Sequence, residues 1–151
     1  MNWTCLAFSQ LSTEQLYELL KLRVDVFVVE QACPYPELDN KDRVEGAYHL
    51  LGYHHGEMVA YSRLLSPKIS YNNVSFGRVV IEKSSRGTGL GQKLIATALD
   101  HCQKLWPNQD IDIGAQEYLL EFYRGYGFKA ISEVYLEDGI PHIDMRLSRS
   151  C

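Results

Sequence analysis

The chain has 151 residues, 46% of them hydrophobic and 23% charged, with a formal net charge of −4 at pH 7. That length suits one domain with a sizeable core, and the acidic balance argues against nucleic acid as the main partner. No run approaches the roughly 18 apolar residues of a membrane helix, and the first ten residues lack the basic cluster and apolar stretch of a signal peptide. The cysteines Cys5, Cys33, Cys102 and Cys151 are scattered without a Cys-x-x-Cys pair, so free thiols, no metal and a cytoplasmic location are expected.

In chain order, residues 3–8 read as a first strand. Ser12 then opens a helix. Its hydroxyl can cap, Gln15 can reach back as in a capping box, and Leu11 can pack on Leu16. The stripe Leu16, Leu19, Leu20, Arg23 and Phe27 predicts a core-facing helix to about residue 30. An arginine on such a stripe needs a partner, and Glu37, Asp39 and Asp42 follow in a loop. At least one of them is expected to pair with Arg23. Two readings of these acids stay open: a pocket that attracts an amine, and a salt-bridge network that orders a loop containing Pro34 and Pro36.

Residues 48–54 and 58–65 read as strands around the turn signal His55-Gly56. Residues 66–73 form a loop, and residues 74–82 a fourth strand. Next comes Arg86-Gly87-Thr88-Gly89-Leu90-Gly91, followed by a helix over residues 92–105 that Pro107 ends. A helix start leaves backbone N–H groups without partners, and its dipole adds positive potential. Glycines let a ligand approach that backbone closely. The combination predicts a site for a phosphate-bearing ligand, with Arg86 as a permanent charge beside it. A P-loop is excluded because no Gly-Lys-Ser/Thr follows. The dinucleotide fingerprint fits Gly87 and Gly89, but its third glycine falls on Gln92.

Residues 110–115 read as a fifth strand, residues 117–125 as a short helix with Phe122, Tyr126 and Phe128 as core aromatics, and residues 130–136 and 142–147 as a last hairpin. Tyr123 is placed on a different face of its helix from those aromatics.

Arg86-x-x-Gly89-x-Gly91 after an apolar strand resembles the coenzyme A loop of the GCN5-related N-acetyltransferase (GNAT) superfamily, and Tyr123-x-x-x-Gly127-Phe128 resembles that superfamily's next motif. The segments Leu22-Arg23-x-x-Val26-Phe27-Val28-Val29-Glu30-Gln31, Cys33-Pro34-Tyr35 and Glu137-Asp138-Gly139-Ile140-Pro141-His142-Ile143 are most similar to the ElaA family of small bacterial acetyltransferases. Arg23-x-x-x-Phe27, Glu37-x-Asp39-x-x-Asp42 and Arg63-Leu64-Leu65 also resemble the front half of acyl-homoserine-lactone synthases, which share the fold and acylate S-adenosylmethionine. This chain is shorter, and carries a coenzyme A loop that those enzymes lack.

The resemblance implies an α+β GNAT fold: a single domain over residues 1–151, with a mixed, mostly antiparallel sheet of about seven strands flanked by helices. The pattern of elements permits that fold without specifying it. The implied activity is transfer of an acetyl group from acetyl-CoA to a primary amine of a small-molecule or peptidyl acceptor, with no metal, nucleic acid or membrane involved. Backbone groups of Val79, Val80 and Ile81 would align the pantetheine arm and polarise the thioester. Arg86, Gly87, Thr88, Gly89, Leu90 and Gly91 would hold the pyrophosphate, and Tyr123 would protonate the leaving thiolate. Arg23, Phe27, Glu30, Arg63 and His142 are the candidates for the acceptor side. Glu30, Glu82, Glu117, His49 and His142 stay open as the base. Two tryptophans and ten tyrosines leave room for an aromatic homodimer interface that nothing in the sequence places. The alternatives are a longer-chain acyltransferase like the lactone synthases, a coenzyme A sensor without turnover, and a dinucleotide-binding protein.

Overall fold

The computed structural model describes residues 1–149, so Cys151 lies outside the described residues. Strand β1 (Asn2–Ala7) leads through a short 3₁₀ turn to helix α1 (Thr13–Arg23). The capping box forms as expected: Ser12 Oγ accepts from Gln15 N at 3.0 Å, and Gln15 Oε1 accepts from Ser12 N at 2.9 Å. The α-helix does not run to residue 30. From Val24 to Glu30 the chain winds as a π-helix, with Gln31 N donating to Val26 O and Cys33 N to Val28 O. Four of these seven residues are valine, and β-branched side chains crowd the preceding turn of an α-helix. Widened helical turns of this kind often mark functional sites.

Strands β2 (Ala47–His54), β3 (Glu57–Leu65) and β4 (Val74–Ile81) form an antiparallel meander. Helix α2 (Leu90–Leu105), strand β5 (Ile111–Gln116), helix α3 (Leu120–Arg124) and strands β6 (Lys129–Ala130), β7 (Tyr135–Glu137) and β8 (Ile140–Leu147) complete the chain. The order across the sheet is β1-β2-β3-β4-β5-β8-β6, with β7 also on β8. The sheet thus has eight strands rather than seven, because the strand expected over residues 130–136 is broken. Ser132 Oγ takes the bond from Asp144 N that a ladder carbonyl would otherwise accept, and β6 and β7 pair with opposite ends of β8. The β7–β8 hairpin turns on Asp138 and Gly139, both with positive φ, as a two-residue loop with the strands' own twist requires.

One face of the sheet packs on α2 and α3 through Phe76, Leu94, Ile95, Ile113, Phe128 and Met145. The opposite face of the first strands packs on α1 through Leu19, Leu22, Val26, Leu51, Tyr61 and Val80. Every strand pair is antiparallel except β4 with β5, which pair only at Val74–Ile111 and Ser75–Asp112. Beyond that point the two strands separate, and a wedge opens in the middle of the sheet.

Candidate active site

Because β4 and β5 part after two residue pairs, one edge of β4 is left without a neighbouring strand from Phe76 onward. Alternate backbone groups along such an edge face outward. A bulge adds to this: Tyr61 pairs with Val80 and Arg63 with Gly77, so Arg78 and Val79 stand opposite Ser62 alone. Arg78 takes φ +50° at this point, and Ser62 Oγ donates to Gly77 O at 3.0 Å. Bulges re-aim backbone and side chains and recur beside active sites.

The wedge is a cleft of about 1020 Å³. Val79, Val80 and Ile81 line one wall, with Ala115 and Gln116 of β5 across from them; Phe27, Glu30, Arg63, Arg86, Gly91, Tyr123 and His142 also line it. The sequence candidates that reach this cleft therefore come from six separate stretches of the chain.

At one end stands the start of α2. Gly89 is its N-cap, left-handed at φ +79°, and the helix begins two residues earlier than the periodicity suggests. No side chain caps this end, and its first turn carries no acid, so the amides there remain open to an anion. A Cβ on Gly87, Gly89 or Gly91 would meet nothing within 4 Å, which leaves space for a ligand directly against the backbone. Of residues 86–91 only Arg86 and Gly91 line the main cleft; Thr88 and Leu90 line a separate, smaller recess, and Thr88 Oγ1 donates to Ser85 O at 2.9 Å. The exposed amides and the space against the glycines suit an anion. Arg86 at the edge of this cradle is tied to Glu30 by two hydrogen bonds of 2.6 and 2.9 Å.

Tyr123 sits at the junction of cleft and core. Its ring packs against Phe76, Phe122 and Phe128, so it shares the core aromatics' environment instead of lying on a separate face. Burial pushes its phenol well above the usual tyrosine range, which keeps the proton on at neutral pH.

Arg23 does not reach the cleft. Its side chain is completely buried behind the wall, where Nε donates to Glu37 Oε2 at 2.8 Å and Nη1 to Asp42 Oδ1 at 2.6 Å. Arg63 binds Asp39 and Asp42 at 2.8 and 3.0 Å, and Arg78 binds Glu37 at 2.6 Å. Three guanidinium groups thus meet three carboxylates, and the loop acids carry no surplus negative charge for an amine. Burial opposes ionisation of Asp39, but the hydrogen bonds and charge of Arg63 prevail and hold it at about 2.

Among the candidate bases, Glu30 is held below the usual carboxylate range by its hydrogen bond to Arg86. Glu82 is held low by Ser84 in the turn it caps. His49 is buried between Tyr61 Oη and Asp42 O, its pKa lowered chiefly by burial, and it lies off the cleft, as does Glu117. His142 remains. Its Nδ1 lies 2.7 Å from Ile140 O, a partner that can only accept, so Nδ1 carries the proton and Nε2 presents a lone pair. Glu137 Oε2 lies 3.5 Å from Nε2.

Sequence reasoning missed Arg78, Tyr71, Tyr135 and Asp144, all of which line the cleft. Asp144 had a signal: along β8, His142, Asp144 and Arg146 alternate with the core residues Ile143 and Met145.

A sheet split between its one parallel pair, with an uncapped helix start at one end of the split, defines an acyl-coenzyme A transferase fold. A family profile described as an acetyltransferase (GNAT) domain matches residues 10–149, and the chain belongs to that family. It is 44% identical over 145 residues to protein ElaA of Escherichia coli, covering 96% of this chain and 95% of ElaA. It superposes on the crystal structure of an acyl-CoA N-acyltransferase from Pseudomonas aeruginosa with a TM-score of 0.94 at 46% identity, covering 97% and 99% of the two chains. The acyl-homoserine lactone synthase BjaI, with SAM and isopentyl-CoA, matches at TM-score 0.76 and 16% identity over 96% of this chain and 82% of its own; that likeness is one of fold alone.

Proposed function

We propose that this protein transfers an acetyl group from acetyl-CoA to a primary amine of a small-molecule or peptidyl acceptor. The observation that carries this reading is the shared cleft: Gly91 in the uncapped first turn of α2, the unpaired edge of β4, Tyr123 and His142 all open into one space. Tyr123 and His142 line the same cleft as the start of α2, an arrangement that suits a long thioester substrate. Family membership and the Pseudomonas acyl-CoA N-acyltransferase support the same class of donor.

Each step can be assigned to a residue. An amine with a pKa near 10.4 is neutral in only about one molecule in a few thousand at pH 7, so a base contributes directly to rate. His142 Nε2 takes the amine proton, and Glu137 stabilises the resulting cation. Amides along the β4 edge donate to the thioester oxygen as charge gathers there while nitrogen bonds to the carbonyl carbon. As the carbon–sulfur bond breaks, the Tyr123 phenol gives its proton to the departing sulfur and regains one from His142, directly or through water; His142, neutral again, takes the second proton from the newly bonded nitrogen and releases it to solvent, leaving a neutral amide.

The test is a thiol-release assay with acetyl-CoA across a panel of amines, run beside calorimetric titration of coenzyme A and NAD. Micromolar coenzyme A binding with amine-dependent thiol release supports the reading. Binding without release by any amine points to a sensor, and a preference for NAD overturns the ligand assignment. Repeating the assay with butyryl- and hexanoyl-CoA separates acetyl transfer from longer-chain transfer.

A further inference from the structure

The half of the cleft away from the start of α2 has a floor of its own. On β5 and β8, Asp112, Gly114 and Gln116 stand opposite Arg146, Asp144 and His142 in register. Side chains on one strand alternate between faces, and the opposite set packs on α2. This second face is therefore polar.

Its charges are nearly all matched. Asp112 takes Arg146 at 2.7 Å, and the acids of the adjoining loop take Arg23, Arg63 and Arg78. Lys41, the one lysine lining the cleft among the described residues, donates to Ser70 Oγ. Among the acids of β5 and β8, Asp144 is the exception; Glu137 and Asp138 at the β7–β8 turn also line the cleft without a lysine or arginine partner among the described residues. It is only partly exposed and lines the cleft, yet no cationic side chain lies within ion-pair distance of it among the described residues. Instead, Tyr71 Oη and Tyr135 Oη donate to the same oxygen, Oδ1, at 2.9 and 2.6 Å. No described residue bonds Oδ2. The arrangement depends on Gly114, where a Cβ would lie 2.8 Å from Tyr71 Oη and 3.1 Å from Tyr135 Oη. Two phenols thus fix the carboxylate's orientation and leave one oxygen for a ligand.

A carboxylate in contact with the reacting amine would favour its protonated form and oppose attack. Asp144 therefore suits a different cation from the one that reacts. His142 lies two residues away on the same face, roughly 7 Å along the strand, at the end of β5 that leads into the Tyr123 helix. Resting on the acetyl-transfer reading above, we propose that the acceptor is an α,ω-diamine or a basic amino acid: one amine reacts beside His142 while a second cationic group docks on Asp144 Oδ2. An extended chain advances about 3.5 Å per three bonds, so about four to six carbons between the two nitrogens span the gap.

Calorimetric titration of the coenzyme A complex with 1,5-diaminopentane, lysine amide and pentylamine reads this docking without turnover. The proposal expects the two dications to bind at least tenfold tighter than pentylamine, and to be acetylated with a correspondingly lower KM. In Asp144→Asn, which still accepts from both phenols, the dications lose that advantage. Gly114→Ala, which pushes the phenols away while keeping the charge, weakens dication binding several-fold. Equal affinity of pentylamine and diaminopentane for the wild-type complex overturns the proposal whether or not acetyl transfer occurs. Asp144-dependent dication binding without thiol release keeps the docking site and overturns acetyl transfer instead.

Discussion

Arg86 and Glu30 close on each other across the mouth of the cleft, with Nη1 and Nη2 of the guanidinium donating to the two carboxylate oxygens at 2.6 and 2.9 Å. The same arginine donates through Nε to Ile81 O at the end of β4. One side chain thus links the π-helical segment, the end of β4 and the glycine loop. In the proposed donor site, a diphosphate at the start of α2 would compete with Glu30 for this guanidinium, whose fork suits either anion.

Glu30→Gln therefore tightens coenzyme A binding. Arg86 no longer has to exchange a carboxylate for phosphate, and one negative charge leaves the mouth. Both groups are solvent-exposed, so the gain is modest, about two- to fivefold in Kd and smaller at high salt. Calorimetry at two ionic strengths measures it. Weaker binding by Glu30→Gln would instead mean that Glu30 helps to hold the ligand.

Replacing Arg23 with methionine destabilises the fold. Losing one partner of a buried ion pair costs about 3–5 kcal/mol, and the lower end applies because Arg78 still faces Glu37 and Arg63 still faces Asp42. A loss of about 3 kcal/mol lowers the melting temperature by roughly 10 °C for a chain of this size. An unchanged melting curve would show that the triple arginine network is dispensable.

The same network sets the acid limit of stability. Asp39 is held at about 2 and Asp42 is also held low, in each case by arginine outweighing burial. Carboxylates depressed in the folded state stabilise it fully above their unfolded pKa of about 4, and that contribution fades as pH falls toward the folded value. Circular dichroism across pH 7 to 2 should show stability falling between about pH 4 and pH 2. Arg63→Met, which removes the main partner of Asp39, should raise the unfolding midpoint. A flat profile down to pH 2.5 contradicts this.

Local signals carried much of the fold and the geometry of the glycine loop. Ser12 with Gln15, the stripe that includes Arg23, and the glycines around residue 89 all state their structure within a few residues, where capping, periodicity and positive φ act. The half of the cleft away from that loop depends on pairings between distant residues. That β4 and β5 part after Ser75 follows from how two strands 37 residues apart align at Val74–Ile111, and no local pattern records it. The Tyr71–Asp144–Tyr135 cluster joins a loop, a hairpin strand and the final strand, so nothing in any one segment points to the others. The π-helical turn was obscured for a different reason. Val24, Val26, Phe27, Val28 and Val29 form an apolar run in which periodicity cannot separate α from π winding.

Tyr123→Phe tests the proposed proton donor most directly. The ring is only 5% exposed and packs on three phenylalanines, so phenylalanine preserves the packing and the melting temperature should hold within a degree or two. The proposed diphosphate site uses backbone amides at the start of α2, with no hydrogen bond to this phenol among the described residues, so coenzyme A affinity should also hold. What disappears is the proton for the thiolate, and general-acid loss costs about 10²-fold in kcat. Donor identity then shows in the leaving group. An activated thioester whose thiol is more acidic needs less protonation, so the gap between Tyr123→Phe and wild type narrows with such a donor. Equal kcat for the two proteins on acetyl-CoA removes Tyr123 from the chemistry. A gap that stays the same across leaving groups assigns it to positioning of the cleft instead.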